Sequence, residues 1–167
     1  MKAMKTGLSL LMLAGLTIVA SQTAFAAETA MMKFEVSDGP AIKSIKKSLT
    51  GKAGDPAKGE NTMANRKKGN CFACHVISSL AKKAAKNPKK YSDMGNIGPS
   101  LDGVAGRYTE GELRALLVNA KLAFPDTIMP GFYRTKGFTR VKGKFKGKTV
   151  LKAQEVEDIL ALLVTFK

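Results

Sequence analysis

The chain has 167 residues, 28 lysines and arginines against 13 acids, and a formal charge of +15. That length suits one domain, and two cysteines with a single histidine exclude a disulfide-rich scaffold and a four-ligand zinc site. A positive field of this size steers association with anions or acidic proteins and says little about fold.

The N-terminus reads as an export signal. Lys2 and Lys5 form a charged start, Gly7 to Ala20 an apolar run, and Ala24-Phe25-Ala26 an A-x-A cleavage pattern. Residues 1–26 are therefore expected to be a signal peptide, cut after Ala26. The apolar run is short for a membrane span, and no later stretch approaches it. A soluble periplasmic protein with no membrane span is the expectation. Loss of Lys2 and Lys5 takes the formal charge from +15 to +13. Nucleic acid is the usual guess for such a balance, but export argues for an anionic substrate or an acidic protein surface.

Residues 27–54 read as an N-terminal extension and 55–167 as the domain proper. In the extension, Pro40, Ile42, Ile45 and Leu49 outline a short amphipathic helix, with Pro40 in its first turn and Gly51 at its end. Asp55-Pro56 opens a second helix that should run to Gly69, with Ala57, Met63 and Ala64 as its core-facing residues.

Cys71-Phe72-Ala73-Cys74-His75 follows at once. Two cysteines two residues apart and then histidine read as a covalent attachment site for one haem c. The thiols of Cys71 and Cys74 reach the two porphyrin vinyl groups, and His75 gives a nitrogen to the iron. A helical turn from Cys71 puts residues three and four positions on along the same face. A thioredoxin-like pair would need a βαβ context that is missing here. A plain disulfide would leave the only histidine without a task.

Ser78 to Tyr91 carries Lys82, Lys83, Lys86, Lys89 and Lys90 around Asn87-Pro88. Its first half should continue the haem-bearing helix, and Pro88 should end it. The lysines read as a solvated basic loop or as a docking surface for an acidic partner. Gly95 to Gly106 is glycine-rich and contains Gly98-Pro99, which lets backbone pass close to a flat ligand. Thr109 and Glu112 form a capping box for a helix that carries Leu113, Leu116, Leu117 and Ala120 and ends near Leu122. Val141 to Phe145 suggests a short hairpin. Ala153 to Phe166 is the clearest helix, with Val156, Ile159, Leu160, Leu163 and Phe166 as its apolar stripe. Glu155, Glu157 and Asp158 favour its positive N-terminal end.

The second axial position needs a ligand, and no second histidine exists. Methionine is the leading type, because Met/His ligation is the usual electron-transfer arrangement. Met129, stiffened by Pro130, lies far enough along the chain to cross to the distal side; Met94 is the alternative. Met31, Met32 and Met63 have only the ordinary core-filling role to suggest. The other His75 nitrogen should give its proton to a carbonyl, and that of Pro99 is well placed. Arg107 and Tyr108 read either as propionate partners or as ordinary surface polarity.

The haem motif, the Gly98-Pro99 loop, Met129-Pro130 and the last helix, in that order, resemble class I cytochromes c. The resemblance implies an all-α class I cytochrome c fold around one covalent haem c, here with an N-terminal extension and long loops. It also implies that Pro99 orients His75, Leu101 packs near the haem and Arg107 contacts a propionate. One departure is the lack of an aromatic residue near Leu162 in the last helix. A narrower likeness rests on Gly69 to His75, Gly95 to Leu101, Arg107-Tyr108, Glu112 to Arg114, Thr127 to Pro130 and Glu155 to Ile159. Together they are similar to the SoxX family, small cytochrome subunits of SoxAX complexes. That resemblance implies a heterodimer with a SoxA-like cytochrome acting as an L-cysteine S-thiosulfotransferase. There, thiosulfate is joined oxidatively to a cysteine of the carrier SoxYZ, and electrons pass through this subunit to a small acceptor cytochrome. Once its thioethers form, this chain keeps no cysteine to act as nucleophile, so no catalytic residue is expected in it. The alternative is a free periplasmic monohaem carrier. A subunit should expose an apolar patch for its partner, and Phe132, Tyr133, Phe138 and Phe145 are the candidates.

Overall fold

A computed structural model describes residues 31, 33–91 and 94–167. The expected signal peptide, its cleavage site and Met32 lie outside the described residues. The elements in order are β1 (Ser37–Asp38), β2 (Lys43–Ser44), α1 (Pro56–Ala64), α2 (Ser78–Ala81), α3 (Pro88–Tyr91), α4 (Val104–Arg107), α5 (Glu110–Asn119) and α6 (Ala153–Leu163), with 3₁₀ turns at Cys71–Ala73, Lys82–Ala85, Ala120–Leu122 and Gly143–Phe145. The two strands form a single antiparallel pair, with Ser37 opposite Ser44.

Helix α6 organises the core. Val156, Ile159, Leu160, Leu162 and Leu163 are buried along it, as its period requires. Helix α1 crosses it through glycine rather than through an aromatic residue. A Cβ on Gly59 would stand 2.1 Å from the Asp158 carbonyl oxygen and 3.0 Å from Ile159 Cα, so the two backbones touch. Thr62 and Met63 are buried beside that crossing, whereas Ala57, expected to face the core, is exposed. Asp55 caps α1 by accepting from Ala57 N and Lys58 N. The helix stops at Ala64, short of Gly69, because Asn65 leaves helical geometry and its carbonyl binds Lys68 N and Asn70 N. Helix α5 keeps the expected capping box of Thr109 and Glu112, and its last turn tightens into the 3₁₀ turn that ends at Leu122.

The expected helix from Pro40 to Gly51 does not form. Of its apolar positions, Ile45 and Leu49 are buried, Ile42 is half-buried and Pro40 is exposed. Its backbone groups, however, are claimed from elsewhere. The Glu112 carboxylate accepts from Ala41 N at 2.6 Å and Ile42 N at 2.8 Å. Ile45 N donates to Gly111 O at 2.8 Å, and Leu49 N to Glu157 at 2.8 Å. These bonds hold an irregular strap, residues 37–55, against α5 and α6. Arg114 lies beneath it. Its guanidinium pairs with Glu157 through Nε at 2.9 Å and Nη2 at 3.1 Å, and donates to Ile45 O at 2.8 Å. Burial works to lower the Arg114 pKa, but Glu157 and Glu110 outweigh it and the net shift is upward. Glu157 and Asp158, expected to act through the helix dipole, instead bind the strap: Asp158 accepts from Asp55 N at 2.9 Å.

Three further expectations change. Pro88 opens α3 instead of ending a helix; the break comes earlier, after the 3₁₀ turn, and proline suits a first helical position. Val141 to Phe145 forms no hairpin but a 3₁₀ turn, closed by Phe145 N to Lys142 O at 2.8 Å. Phe132 and Tyr133 are not a surface patch. They are 6% and 3% exposed, because their amides bind Leu117 O and Val118 O and tuck the segment beside α5. Phe138 remains exposed, and Phe145 is half-buried.

Candidate functional site

The Cys71–Ala73 turn is set up by Gly69 and Asn70. Asn70 adopts the left-handed conformation, φ 49°, which asparagine tolerates better than most residues. A Cβ on Gly69 would fall 2.9 Å from Thr62 O and 3.2 Å from Cys71 Sγ, so only glycine lets this turn leave α1 so closely. His75 N then donates to Cys71 O at 3.0 Å. Both cysteines are half-buried free thiols. Burial around its sulfur pushes the Cys71 thiol up to about 12, so it is a neutral S–H.

The His75 ring is held on two sides. Its Nδ1 lies 2.7 Å from Pro99 O, and an acceptor there fixes the proton on Nδ1. Nε2 then carries the free lone pair, and it makes no hydrogen bond among the described residues. Gly98 presses on the ring, since a Cβ there would meet Cε1 at 2.4 Å. Gly98 N is itself bonded to Cys74 O at 2.8 Å, and Leu101 N to Val76 O at 3.0 Å. The Gly-Pro loop is thus laced to the backbone that follows the second cysteine.

Arg107 is exposed, and its guanidinium closes this loop by donating to Ser100 O at 2.8 Å and Asp102 O at 2.7 Å. Tyr108 and Leu101 are half-buried and pack on the core. Met129 is also half-buried against the core, with its amide on Thr127 Oγ1 at 3.2 Å. Met94 is half-buried too, but it precedes Gly95, whose amide donates to Phe72 O at 2.8 Å. Met94 therefore adjoins the cysteine turn. Met63 is 1% exposed in the core.

Two polar ties escaped the sequence. The Asp102 carboxylate accepts from Ser78 N at 2.9 Å, Ser78 Oγ at 2.6 Å and Ser100 Oγ at 3.0 Å. It caps α2 from a distance and joins the segment after His75 to the Gly-Pro loop. The Ser78 hydroxyl, above all, holds its pKa below the ordinary value. The second tie is Glu60, which accepts from Tyr91 Oη and from Lys83 at 2.8 Å. Partners more than 20 residues away leave no local pattern, although serine next to a helix start hints at a need for capping.

Two free thiols on one turn, followed by an imidazole whose Nδ1 is held and whose Nε2 lone pair is left over, fit a covalently attached haem, the thiols as thioether formers and the imidazole as an iron ligand. The sequence profile of the family Cytochrome c matches residues 56–167. No match was found among curated proteins. Among solved structures, a chain of the crystal structure of SoxXA from P. pantotrophus matches with a TM-score of 0.66 and 39% identity, over 80% of this chain and 95% of that one. The chain therefore belongs to the cytochrome c family and has its helix-rich fold and covalent haem c. Within that family it is a SoxX-type cytochrome, a monohaem electron-transfer protein of sulfur oxidation.

Proposed function

We propose that this protein is the electron-transfer subunit of a periplasmic heterodimer with a SoxA-like cytochrome. Its activity would be that of an L-cysteine S-thiosulfotransferase, which joins thiosulfate to a cysteine of a SoxYZ-type carrier. The likeness to a SoxXA chain over most of both lengths supports this reading. So does the cysteine count: the two cysteines present both stand in the haem motif, so the sulfur chemistry falls to the partner. Electrons released there would leave through this chain to a small acceptor cytochrome.

In this reading Cys71 and Cys74 would carry the thioethers, and His75 Nε2 and Met129 Sδ would hold the iron. Haem c, when bound, supplies a one-electron iron couple. Pro99 keeps the His75 proton on Nδ1, and Gly98 keeps the ring from turning. Leu101 and Tyr108 would exclude water. Arg107 would hold the loop and offer its remaining N–H groups to a propionate.

Ile97 and Ile128 are 68% and 80% exposed. One adjoins Gly98 on the histidine side, the other Met129. We assign the partner contact to these two exposed apolar side chains. The 2.7 Å contact between His75 Nδ1 and Pro99 O beside the paired thiols carries the haem-ligation part of this reading, and the likeness to a SoxXA chain carries the heterodimer. The test is co-purification of the tagged, haem-loaded protein with a SoxA-like cytochrome. Ile128→Lys should abolish co-purification and leave the haem spectrum unchanged. A strictly monomeric native protein would remove the heterodimer.

A further inference from the structure

Residues 61–92 contain eight lysines and arginines and no carboxylate. Lys82, Lys83, Lys86, Lys89 and Lys90 crowd one short stretch of it, folded as α2, a 3₁₀ turn and α3. Glu60 on α1 pins this stretch. It pairs with Lys83 Nζ at 2.8 Å and Lys90 Nζ at 3.4 Å and accepts from Tyr91 Oη. Asn61 takes a further bond from Lys90 at 2.7 Å. Lys82, Lys86 and Lys89 are exposed and have no side-chain partner among the described residues. The fold therefore holds three uncompensated cations outward on a fixed support.

The two pinned lysines, Lys83 and Lys90, connect this stretch to the haem motif. Tyr91 is buried, with the ammonium groups of Lys83 and Lys90 at 5.9 and 5.1 Å from its ring centre. Its ring stands 6.1 Å from that of Phe72. Phe72 sits between Cys71 and Cys74. One aromatic pair thus separates the lysine face from the turn that bears both thiols.

We propose that Lys82, Lys86 and Lys89 form the docking face for an acidic redox protein that exchanges an electron with this cytochrome. The step is a one-electron transfer: the reduced cytochrome loses the electron, the partner's oxidised metal centre gains it, and no bond or proton changes hands. Charge complementarity identifies the partner. An anionic membrane is the weaker fit. Surface-binding segments insert an apolar face, and here the large apolar residues of this stretch, Leu80 and Tyr91, are buried. The proposal rests on the electron-transfer reading and not on the heterodimer.

The test uses the full, haem-loaded protein and plastocyanin, an acidic copper protein, as the probe. Two triple variants lower the charge equally: K82E/K86E/K89E on this face and K142E/K144E/K146E in a second acid-free segment, residues 127–154. Affinity for immobilised plastocyanin is measured from about 10 to about 150 mM salt. The first variant should bind about tenfold more weakly at low salt and lose most of its salt dependence, while the second stays within about threefold. Electron-transfer rates should follow the same order. K82A/K86A/K89A should shift affinity in the same direction by less. Equal weakening by both triple variants would mean that the whole molecular field steers docking and would overturn the proposal. Unchanged binding by the first variant would overturn it too. So would loss of sedimentation with phosphatidylglycerol vesicles while plastocyanin binding persists, which would make this a lipid face. Failure of partner co-purification would sink the heterodimer and leave this result untouched.

Discussion

At the scale of single residues, the site depends on a few contacts that admit no substitution. Gly98 is the sharpest, because a methyl group there would enter the His75 ring, 2.4 Å from Cε1. Either the ring turns off the Pro99 carbonyl or the loop backs away from Cys74 O. Gly98→Ala should therefore lower stability by roughly 1–3 kcal/mol, the usual cost of overpacking, and should change the haem spectrum through the tilted imidazole. Thermal melting and visible absorption measured on the same samples check both. A spectrum identical to wild type would mean that Gly98 does not position the ring. Met129→Ala tests the proposed second ligand. It should remove the thioether, lower the reduction potential and open the iron to added cyanide or imidazole. Unchanged ligand binding, with the change appearing instead in Met94→Ala, would move the assignment to Met94.

At the scale of elements, the strap over residues 37–55 is where sequence and structure part. The period of Ile42, Ile45 and Leu49 is helical, and two of these three residues are buried as a helix would bury them. The backbone is not helical, because carboxylates on α5 and α6 bind its amides. Such partners lie about 70 to 108 residues away, beyond what any local pattern encodes. By contrast, α5 and α6 carry their caps and apolar stripes within themselves and were legible. Glu112 serves twice, in its own capping box and on the strap. The amides of Ile42, Thr109 and Ala41 hold its carboxyl down at about 2, from an ordinary 4.5. A carboxylate depressed in this way stabilises the fold fully above its ordinary value. That contribution falls away as the pH drops from about 4.5 to about 2. Acid titration of wild type against Glu112→Gln should show the wild-type advantage shrinking through this window. A constant difference would mean that the charge is not what holds the strap. Breaking the pair beneath it is the harsher test. Glu157→Gln leaves the buried Arg114 cation with only the exposed Glu110 as counter-charge and should cost about 3 kcal/mol, whereas a matched apolar replacement of both residues should cost less. Denaturant unfolding of the single and double variants separates the two.

At the scale of the whole molecule, the chain is a cationic body, and more than half of its few acids are engaged by its own amides and cations. Of its 13 carboxylates, Asp55, Glu60, Asp102, Glu112, Glu155, Glu157 and Asp158 all bind backbone amides or cationic side chains. The haem motif was legible because its five residues are contiguous and chemically constrained. The basic composition was legible too, but not the placement of the charges, since Glu60 and Asp102 act across folds of the chain. A surface left with this excess of one sign repels itself, which favours the expanded state. Moderate salt screens that repulsion, while the pair of Arg114 with Glu157 is buried and feels it little. The thermal midpoint of the haem-loaded protein should therefore rise by roughly 2–5 °C between about 10 and about 150 mM sodium chloride. The K142E/K144E/K146E variant, with less excess charge, should rise by less. Scanning calorimetry of both proteins decides it. A midpoint that falls with salt would mean that exposed pairs such as Lys83 with Glu60 contribute more than the repulsion removes, and the picture of a self-repelling surface held by internal acids would have to be given up.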